Sequence, residues 1–504
     1  MSPRAALAVE LALAAALGAL HAASFAPQPL GWLQTACVAG LAWLVAKAAT
    51  PLHAALLGGV FGGTWLAVGV WWLFISMHRY GGLPAWLAAL AVAALAAALS
   101  LYLAAAMAAW RRARRGRPLP DAALFAALWL LAELARGLLF TGFPWVAAGY
   151  AHGDGALAAL APWLGVYGIG AASAAVAALL AAAALARGRT GAVALAAAAL
   201  LWWGPLALPR DFTAPTGTLS VALLQTNVAQ DQKFAPEQLP ATLEAVGRAL
   251  VQADAELVVA PETAVPLLPE QLPAGYWEAL RASFAEGERA ALVGVPLGSF
   301  AEGYTNSVAG LSAAAASAPG GFYRYDKHHL VPFGEFIPFG FRWFVDMMRM
   351  PLGDFNRGPL NAPSFVVKGE RVGPNVCYED LFGEELAARF ADPARAPTIF
   401  ANVSNIAWFG DSVAIDQHLQ ISRLRTLELQ RPMLRATNTG ATAVIDHRGV
   451  VTHALAPHTR GVLEATVQGR EGLTPYARWA SAFGLWPLGL AALAVVAAFG
   501  LRRP

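Results

Sequence analysis

The sequence predicts a polytopic α-helical membrane bundle of about eight spans that carries one inserted α/β domain. Three observations lead to this fold class. Hydrophobic residues make up 57% of the 504 residues and charged residues only 13%, against roughly 25% charged residues in soluble domains. Long apolar runs fill the N-terminal part of the chain and recur near its C-terminus. Between them, residues 211–475 are polar and alternate strand-like with helix-like segments.

Seven apolar runs precede the polar stretch and one follows it, and each is long enough to cross a bilayer core of about 30 Å. The runs occupy about 5–21, 30–47, 54–77, 85–110, 121–141, 162–186, 190–208 and 479–500. The first run could pass for a signal peptide, but Glu10 within it favours a retained span. The predicted domains are therefore a seven-span bundle (1–210), a polar domain (211–475) and an eighth span with its tail (476–504).

The basic residues indicate the orientation of these spans, because cytoplasmic loops are enriched in lysine and arginine. The following basic positions fall on one side of the membrane: Arg4, Lys47, 111–117, Arg187, Arg189, Arg502 and Arg503. That side is expected to be the cytoplasm, which places the polar domain in the periplasm of a bacterial inner membrane. The formal net charge of +3 gives no support for a nucleic-acid partner.

The polar domain contains one cysteine, Cys377, within the stretch GPNVCYED. Strand-like residues precede it and a helix-like run begins at Gly383, so Cys377 is predicted to lie on a strand-to-helix turn. A thiol there lies near backbone N–H groups that can lower its pKa or bind an oxyanion. A buried structural cysteine is the alternative from this stretch alone. A disulfide with Cys37 is not expected, because Cys37 lies inside an apolar run.

Two further motifs favour a catalytic Cys377. In LVVAPETAVP a buried strand leads to Glu262, and YRYDKHHLVPFGEF carries Lys327 and then Glu335. A thiol, a carboxylate and an ammonium, each at the end of its own strand, supply a nucleophile, a base and a stabiliser of negative charge. The neighbouring His328 and His329 would point to opposite faces of a strand and could not chelate one metal ion. No metal and no cofactor are expected.

These three motifs, in this order, resemble the Glu-Lys-Cys triad of the nitrilase superfamily, the carbon–nitrogen hydrolases. The resemblance implies an αββα sandwich, in which two sheets lie between helix layers. A nitrilase-like domain between a seventh and an eighth span, with the motifs YDKHHLVPFGEF, NVCYED, AWFGDS and QRPMLRATNTG, is similar to the apolipoprotein N-acyltransferase family over essentially the whole chain. One departure is Ile406, where that family usually has an aspartate.

The resemblance implies an N-acyltransferase with a ping-pong reaction. Cys377 would take an acyl chain from a phospholipid, expected to be phosphatidylethanolamine, and pass it to the α-amino group of the diacylglyceryl-cysteine of an apolipoprotein. Glu262 would act as the base and Lys327 would stabilise the oxyanion. Glu335 would orient Lys327 or the amine, or simply form a buried salt bridge with Lys327. Supporting and substrate-binding roles are expected for Tyr378, Glu379, Asn402, Asn405 and Trp408.

One connection in the polar domain, residues 338–355, is rich in aromatic residues and methionine. It is predicted to dip towards the membrane and to gate lipid entry through Trp343, Phe344 and Met348. Arg342 and Arg349 would be available to lipid phosphates. The alternative is a loop that packs on the core of its own domain.

Two features among the apolar runs also stand out. Glu133 and Arg136 share a helix face, so they are expected to pair, with a lipid head-group contact as the alternative. Trp145, in the aromatic loop that follows, is either a substrate contact or part of an aromatic belt at the membrane interface.

Two other functions stay open on the sequence. A membrane-tethered amidase would use its helices only as an anchor, for which about eight spans are excessive. A transporter or scaffold with a catalytically inactive domain belongs to a different class, and the intact triad counts against it. A fatty-acyl thioester on Cys377 would favour the acyltransferase over both.

Overall fold

The computed structural model describes residues 2–348 and 354–500. These residues form two compact units. The first contains the described residues up to Phe74, then Pro84–Asp211 and the described residues from Phe483 onwards, and the second contains Ile75–Leu83 and Phe212–Ala482. The second unit therefore extends past the predicted boundary at residue 476, and it includes a short segment, Ile75–Leu83, that the sequence pattern assigned to the bundle.

Helices make up most of the first unit and also flank the sheets of the second. In the described residues the α-helices are α1 (Pro3–Ala23), α2 (Gly31–Lys47), α3 (Pro51–Gly69), α4 (Leu73–Ile75), α5 (Ala85–Ala113), α6 (Pro118–Leu138), α7 (Ala161–Leu185), α8 (Arg189–Trp203), α9 (Leu239–Gln252), α10 (Tyr276–Ala282), α11 (Arg342–Val345), α12 (Gly383–Ala388), α13 (Ala414–Leu429), α14 (Pro475–Phe483) and α15 (Trp486–Val495).

The starts of the bundle helices follow ordinary capping rules. α1 and α3 both have proline in the first turn, where a backbone N–H is not needed, and the preceding Ser2 and Thr50 accept N–H groups of that turn. Close packing of α3 on α5 depends on small residues, because a Cβ atom on Gly58 would lie only 2.6 Å from the Met107 side chain. Glycine at this position therefore lets the two helices approach.

The predicted membrane bundle is confirmed, and its predicted number of spans is approximate. Among the described residues, 6 helices are long and apolar enough to cross a membrane by themselves. α2 has only 17 residues, fewer than the ~20 that a bilayer core requires. The last apolar run is not one continuous helix, because it divides into α14 and α15 at Gly484, which has a φ of 55°.

A buried ion pair in the first unit holds an irregular loop. Arg136 Nη2 lies 3.5 Å from Glu133 Oε1, so the predicted pairing is present. Arg136 Nη1 also donates to the carbonyl oxygens of Phe143 (2.8 Å) and Trp145 (2.7 Å), and Glu133 accepts the Ala148 N–H over 2.7 Å. Since unpaired backbone groups are costly inside a membrane, these contacts give the pair a structural role.

Two six-stranded sheets form the centre of the second unit. The strands are β1 (Thr213–Gln225), β2 (Leu257–Val259), β3 (Ala290–Ser299), β4 (Gly303–Leu311), β5 (Tyr323–Asp326), β6 (Phe365–Val367), β7 (Glu370–Val376), β8 (Ile399–Ser404), β9 (Met433–Thr437), β10 (Ala443–Ile445), β11 (Val451–Ala454) and β12 (Gly461–Gly472). The first sheet has the order β12-β1-β2-β3-β4-β5 and the second the order β11-β10-β9-β8-β7-β6.

The sheets pack face to face and carry helices on their outer faces. Their shared core includes Leu223 and Val259 from the first sheet and Val376 and Val403 from the second, all buried. α9 and α10 cover the other face of the first sheet, and α12, α13 and α14 cover that of the second. The predicted αββα sandwich is confirmed.

Parallel strands bring the predicted site residues to sheet edges. β2 runs parallel to β1 and β3, and β7, β8 and β9 run parallel to one another. Because neighbouring parallel strands end at the same edge, residues that follow β7 and β8 lie together. Glu262, Cys377 and Asn405 follow β2, β7 and β8 respectively.

Candidate active site

Cys377 lies on a strained turn at the end of β7. The chain passes from Val376 into a short 3₁₀ helix, Cys377–Leu381, and then into α12, as predicted. Cys377 has a φ of 50°, a left-handed conformation that costs a non-glycine residue about 1–3 kcal/mol. Its carbonyl oxygen accepts from Asn402 Nδ2 (3.2 Å) and lies 3.2 Å from His418 Nε2. These contacts fix the turn and hold the thiol at the strand end.

Each carboxylate oxygen of Glu262 accepts a hydrogen bond from a different residue of the site. Its Oε2 accepts the backbone N–H of Asn405 over 2.8 Å, and its Oε1 accepts from Asn306 Nδ2 over 2.8 Å. Oε1 also lies 3.7 Å from Lys327 Nζ. The carboxylate is buried, so it cannot turn away from the site without losing hydrogen bonds that water does not replace.

Lys327 is completely buried and is paired with Glu335. Lys327 Nζ lies 2.9 Å from each carboxylate oxygen of Glu335. Burial lowers the pKa of Lys327, but the carboxylates of Glu335 and Glu262 together with the Cys377 thiol raise it more, and the pKa is above its ordinary value. Glu335 therefore forms the buried salt bridge with Lys327 that was one of its predicted roles, and its orienting of Lys327 or of the amine stays a prediction.

The Cys377 thiol differs from the expected easily ionised nucleophile. Burial and the Glu262 carboxylate raise the pKa of Cys377 to about 12, against smaller lowering effects of Lys327, the Ser404 hydroxyl and the Asn405 N–H. The expectation that the turn lowers this pKa is wrong, because burial of the thiol and then the Glu262 carboxylate outweigh the nearby donors. The Cys377 thiol therefore carries its proton at neutral pH, and the role of Glu262 as the base that removes it stays a prediction.

Glu379 connects the Lys327 segment to the Cys377 turn. Its Oε2 accepts from the Tyr325 hydroxyl (2.8 Å) and the Val376 N–H (2.6 Å), and its Oε1 accepts the backbone N–H groups of His328 (2.7 Å) and His329 (3.2 Å). Burial raises the pKa of Glu379, although Lys327 and these donors act in the opposite direction. Glu379 therefore ties the two segments together, and its supporting role in the reaction stays a prediction.

Tyr378 shapes the wall beside this turn. Its side chain is buried, and its ring centroid lies 5.2 Å from that of Phe382 and 5.7 Å from that of His329. The His329 and Phe382 rings stack at 3.5 Å. The aromatic cluster is a packed support for the nucleophile turn.

A buried polar cluster lies behind Cys377. Asp380 Oδ1 lies 2.8 Å from His418 Nε2, and Asp380 Oδ2 accepts from Ser422 Oγ and Arg435 Nη1. Arg435 Nη2 lies 3.2 Å from His418 Nδ1. Because a guanidinium can only donate, Nδ1 must accept and Nε2 carries the hydrogen that reaches Asp380 and the Cys377 carbonyl. Through the His418 contact with the Cys377 carbonyl, this polar cluster positions the Cys377 turn.

Several residues that build the site carry only weak signals in the sequence. Asn306 on β4 donates through one amide nitrogen to Glu262 and, over 2.6 Å, to Glu335 Oε1. Its only sequence signal is an amide within the strand YTNSVAGLS, where apolar residues are usual. His418 and Arg435 lie at buried positions of α13 and β9. Their sequence signal is only that a polar residue falls where the pattern calls for a buried one.

Asn402 and Asn405 serve other site residues. Asn402 Nδ2 donates to Asn375 Oδ1 (2.6 Å) as well as to the Cys377 carbonyl, and the side chain is fully buried. The Asn405 side chain donates to Gln230 Oε1 over 2.8 Å. Trp408 is partly exposed, and its ring packs at 5.8 Å on that of Tyr80. Substrate contacts by these three residues stay predictions.

In the connection at residues 338–355, some apolar side chains are exposed and others are packed against the protein. Phe339 is fully exposed and Trp343 is 62% exposed, whereas Phe344 packs on Phe333 with ring centroids 5.7 Å apart. Met348 is buried, so its predicted part in lipid entry has no support from exposure and stays a prediction. Arg342 lies 3.7 Å from Asp354. Arg349 lies outside the described residues.

Two predictions concern groups away from the triad. Trp145 belongs to the first unit, where it is buried and its ring lies 4.8 Å from that of Trp72, so its predicted substrate contact stays a prediction. Within the described ranges, no group of three or more histidine, cysteine, aspartate or glutamate side chains could hold a metal ion.

The fold and the site together define a class of thiol enzymes. Two sheets between helix layers place a glutamate, a lysine and a cysteine at strand ends, and residues 220–476 match the carbon–nitrogen hydrolase family. Residues 17–179, in the helical unit, match the apolipoprotein N-acyltransferase N-terminal domain. The chain is therefore a carbon–nitrogen hydrolase fold joined to a membrane bundle.

Whole-chain relatives identify the family. The chain is 55% identical to the apolipoprotein N-acyltransferase of Verminephrobacter eiseniae, over 95% of this chain and 94% of that one. It is 47% identical to that of Ralstonia nicotianae (97% and 93% covered) and 44% identical to that of Bordetella bronchiseptica (98% and 97% covered). The chain belongs to the apolipoprotein N-acyltransferase family.

Proposed function

We propose that this chain transfers a fatty acyl chain from a phospholipid, through a thioester on Cys377, to the α-amino group of the N-terminal diacylglyceryl-cysteine of an apolipoprotein. The observation that carries the proposal is the similarity to curated N-acyltransferases that runs through the bundle and the catalytic unit together. The geometry of Glu262, Lys327 and Cys377 supplies the chemistry that such a transfer needs.

The first half-reaction begins with a neutral thiol. Glu262 removes the Cys377 proton as the sulfur attacks the ester carbonyl of the phospholipid, since the raised pKa leaves little thiolate in the resting site. The carbonyl oxygen becomes an oxyanion, which the Lys327 ammonium stabilises. Collapse breaks the ester C–O bond, the lysophospholipid oxygen takes the proton from Glu262, and the acyl chain remains on sulfur.

The second half-reaction uses the same groups. The α-amino group of the apolipoprotein attacks the thioester carbonyl, and Glu262 accepts a proton from the attacking nitrogen. Lys327 again faces the oxyanion, held in place by its two 2.9 Å contacts with Glu335. Collapse breaks the C–S bond, the sulfur regains a proton from Glu262, and the product is an amide.

The exposed apolar residues of the 338–348 segment fit a lipid donor. Phe339 and Trp343 lie at the surface together with Met347, which is 42% exposed. Aromatic and methionine side chains at a surface suit contact with acyl chains, because a soluble surface rarely clusters them. We assign lipid entry to these three residues and a packing role to Met348.

The donor and the location are the finer parts of the proposal. Phosphatidylethanolamine is the proposed donor, and the diacylated apolipoprotein is the proposed acceptor. The positions of the lysines and arginines favour a cytoplasmic N-terminus and a periplasmic catalytic unit in a bacterial inner membrane.

The test is the intact mass of the purified chain after incubation with phosphatidylethanolamine vesicles. The expected result is one added fatty acyl group that hydroxylamine removes and that Cys377→Ala lacks. Cys37→Ala is the matched control and should acquire the acyl group normally. A chain that stays unmodified while the lipid is hydrolysed, or an acyl group that persists in Cys377→Ala, would contradict the proposal.

A further inference from the structure

A second buried ammonium lies beside the catalytic carboxylate. Lys233 follows β1 in a turn, and only 4% of its surface is exposed. Its Nζ donates to the backbone carbonyl of Glu262 over 2.9 Å. In the described part of the chain this is its one hydrogen bond, and no carboxylate oxygen lies within ion-pair distance. A buried lysine without a carboxylate partner is costly, so its placement calls for a reason.

The segment that carries Lys233 is fixed to residues that also hold Glu262. Gln230 Oε1 accepts from the Asn405 side chain over 2.8 Å, and the Asn405 backbone N–H is a donor to Glu262. At the start of the segment, the Val228 N–H donates to Asn438 Oδ1 over 2.8 Å. Asn438 in turn donates to the Asn405 side-chain oxygen over 3.0 Å. Lys233 is therefore a built part of the site.

The charges of the neighbouring groups indicate what the Lys233 ammonium contributes to the site. Lys327 lies against the buried carboxylates of both Glu262 and Glu335, so one ammonium faces two acidic groups. A thiolate formed on Cys377 beside an unbalanced carboxylate would be disfavoured, since like charges in a poorly solvated site repel strongly. A second ammonium beside Glu262 offsets part of this negative charge, both before the proton moves from Cys377 to Glu262 and after it.

We propose that Lys233 is a second cation of the catalytic centre, which positions Glu262 through its carbonyl oxygen and stabilises the Cys377 thiolate by its charge. Its ammonium interacts electrostatically with both Glu262 and Cys377. The other charged groups that face the thiol are Lys327 and, from behind, Arg435. Burial lowers the pKa of Lys233 to about 8, while Glu262 and Cys377 act to raise it. The charge is therefore present at neutral pH and is lost in mild alkali.

The test measures the alkylation of Cys377 by iodoacetamide, a small neutral reagent, in the full-length chain between pH 6 and pH 10. Below the pKa of Cys377 the logarithm of the rate rises linearly with pH. If loss of the Lys233 charge raises the pKa of Cys377 by about one unit, the alkylation rate at a given pH falls about tenfold. The wild-type profile should therefore flatten near pH 8, where Lys233 loses its proton, and then rise again on a lower parallel line.

Three variants separate charge from structure. Lys233→Met and Lys233→Gln should react about tenfold more slowly at pH 7, with straight profiles, although glutamine retains a donor for the Glu262 carbonyl. Lys233→Arg should stay close to the wild-type rate at pH 7 and should show no flattening, because arginine does not titrate in this range. Lys368→Met removes an exposed lysine of the same unit that pairs with Glu256, and it should match the wild type. Cys377→Ala gives the background from Cys37.

The result that would overturn the proposal is an unchanged profile in Lys233→Gln, or a Lys233→Arg chain that reacts as slowly as Lys233→Met. If Lys233→Met does not fold, the glutamine and arginine variants and the shape of the wild-type profile still decide the question. The proposal rests on the catalytic site of the proposed function, but alkylation needs neither phospholipid nor apolipoprotein. A failure of acyl transfer would therefore leave this test intact.

Discussion

Replacing Lys327 with methionine removes the ammonium that lies between two buried carboxylates. Lys327 Nζ is 2.9 Å from both oxygens of Glu335 and 3.7 Å from Glu262 Oε1, and its side chain is completely buried. Removal of one partner of a buried ion pair costs about 3–5 kcal/mol, because the other charge stays desolvated. For a domain of this size, that loss lowers the unfolding midpoint by roughly 10 °C. The double variant Lys327→Met with Glu335→Gln leaves fewer unbalanced charges and should regain most of the stability.

Thermal unfolding in detergent and thioester formation, measured on the same samples, separate the two roles of Lys327. The single and the double variant should both fail to acylate Cys377, since neither has the cation that stabilises the oxyanion. The single variant alone should be strongly destabilised. A double variant that recovers acylation would refute the role of Lys327 at the oxyanion, and a single variant with wild-type stability would refute the energetic importance of the pair.

Three other outcomes are expected. Glu262→Gln should slow thioester formation by about 100-fold or more, the contribution of a general base, and a variant that acylates at the wild-type rate would remove Glu262 from that role. Replacing Phe339, Trp343 and Met347 together with serine should slow acylation from vesicles but not acylation from a short water-soluble ester, with little change in the unfolding midpoint. The control Val450→Ser, at another exposed position (53%), should alter neither the acylation rate nor the unfolding midpoint. A reporter fused after Thr218 should be periplasmic and one fused after Gly116 cytoplasmic, and the opposite pattern would contradict the proposed topology.

Features that depend on local pattern could be read from the sequence. The apolar runs identify the membrane helices because length and hydrophobicity alone decide whether a helix can span a bilayer. Strands that end in Glu262, Lys327 and Cys377 are recognisable because a charged or nucleophilic residue directly after a buried strand is unusual. The structure agrees with the predicted turn at Cys377 and the pairing of Lys327 with Glu335.

Features that depend on tertiary contacts could not be predicted from the sequence. α3 ends at Gly69 although the apolar run continues through Trp71 and Trp72, so hydropathy gives no sign of the break. The raised pKa of Cys377 follows from burial of the thiol and from the Glu262 carboxylate, which is remote in sequence. Lys233 looks like an ordinary surface lysine in the stretch VAQDQKFAPEQ, and only the folded chain shows that it reaches the Glu262 carbonyl.

A single-turnover measurement on the acylated enzyme is the decisive test of acyl transfer through Cys377. Cys377 is first acylated from phosphatidylethanolamine, free lipid is removed, and a diacylated lipopeptide with a free N-terminal amine is added. We expect the thioester to disappear as an equal amount of N-acylated lipopeptide forms, and a lipopeptide with a blocked amine to leave the thioester in place. Release of the acyl chain as free fatty acid, at a rate that does not depend on the lipopeptide, would rule out transfer through Cys377.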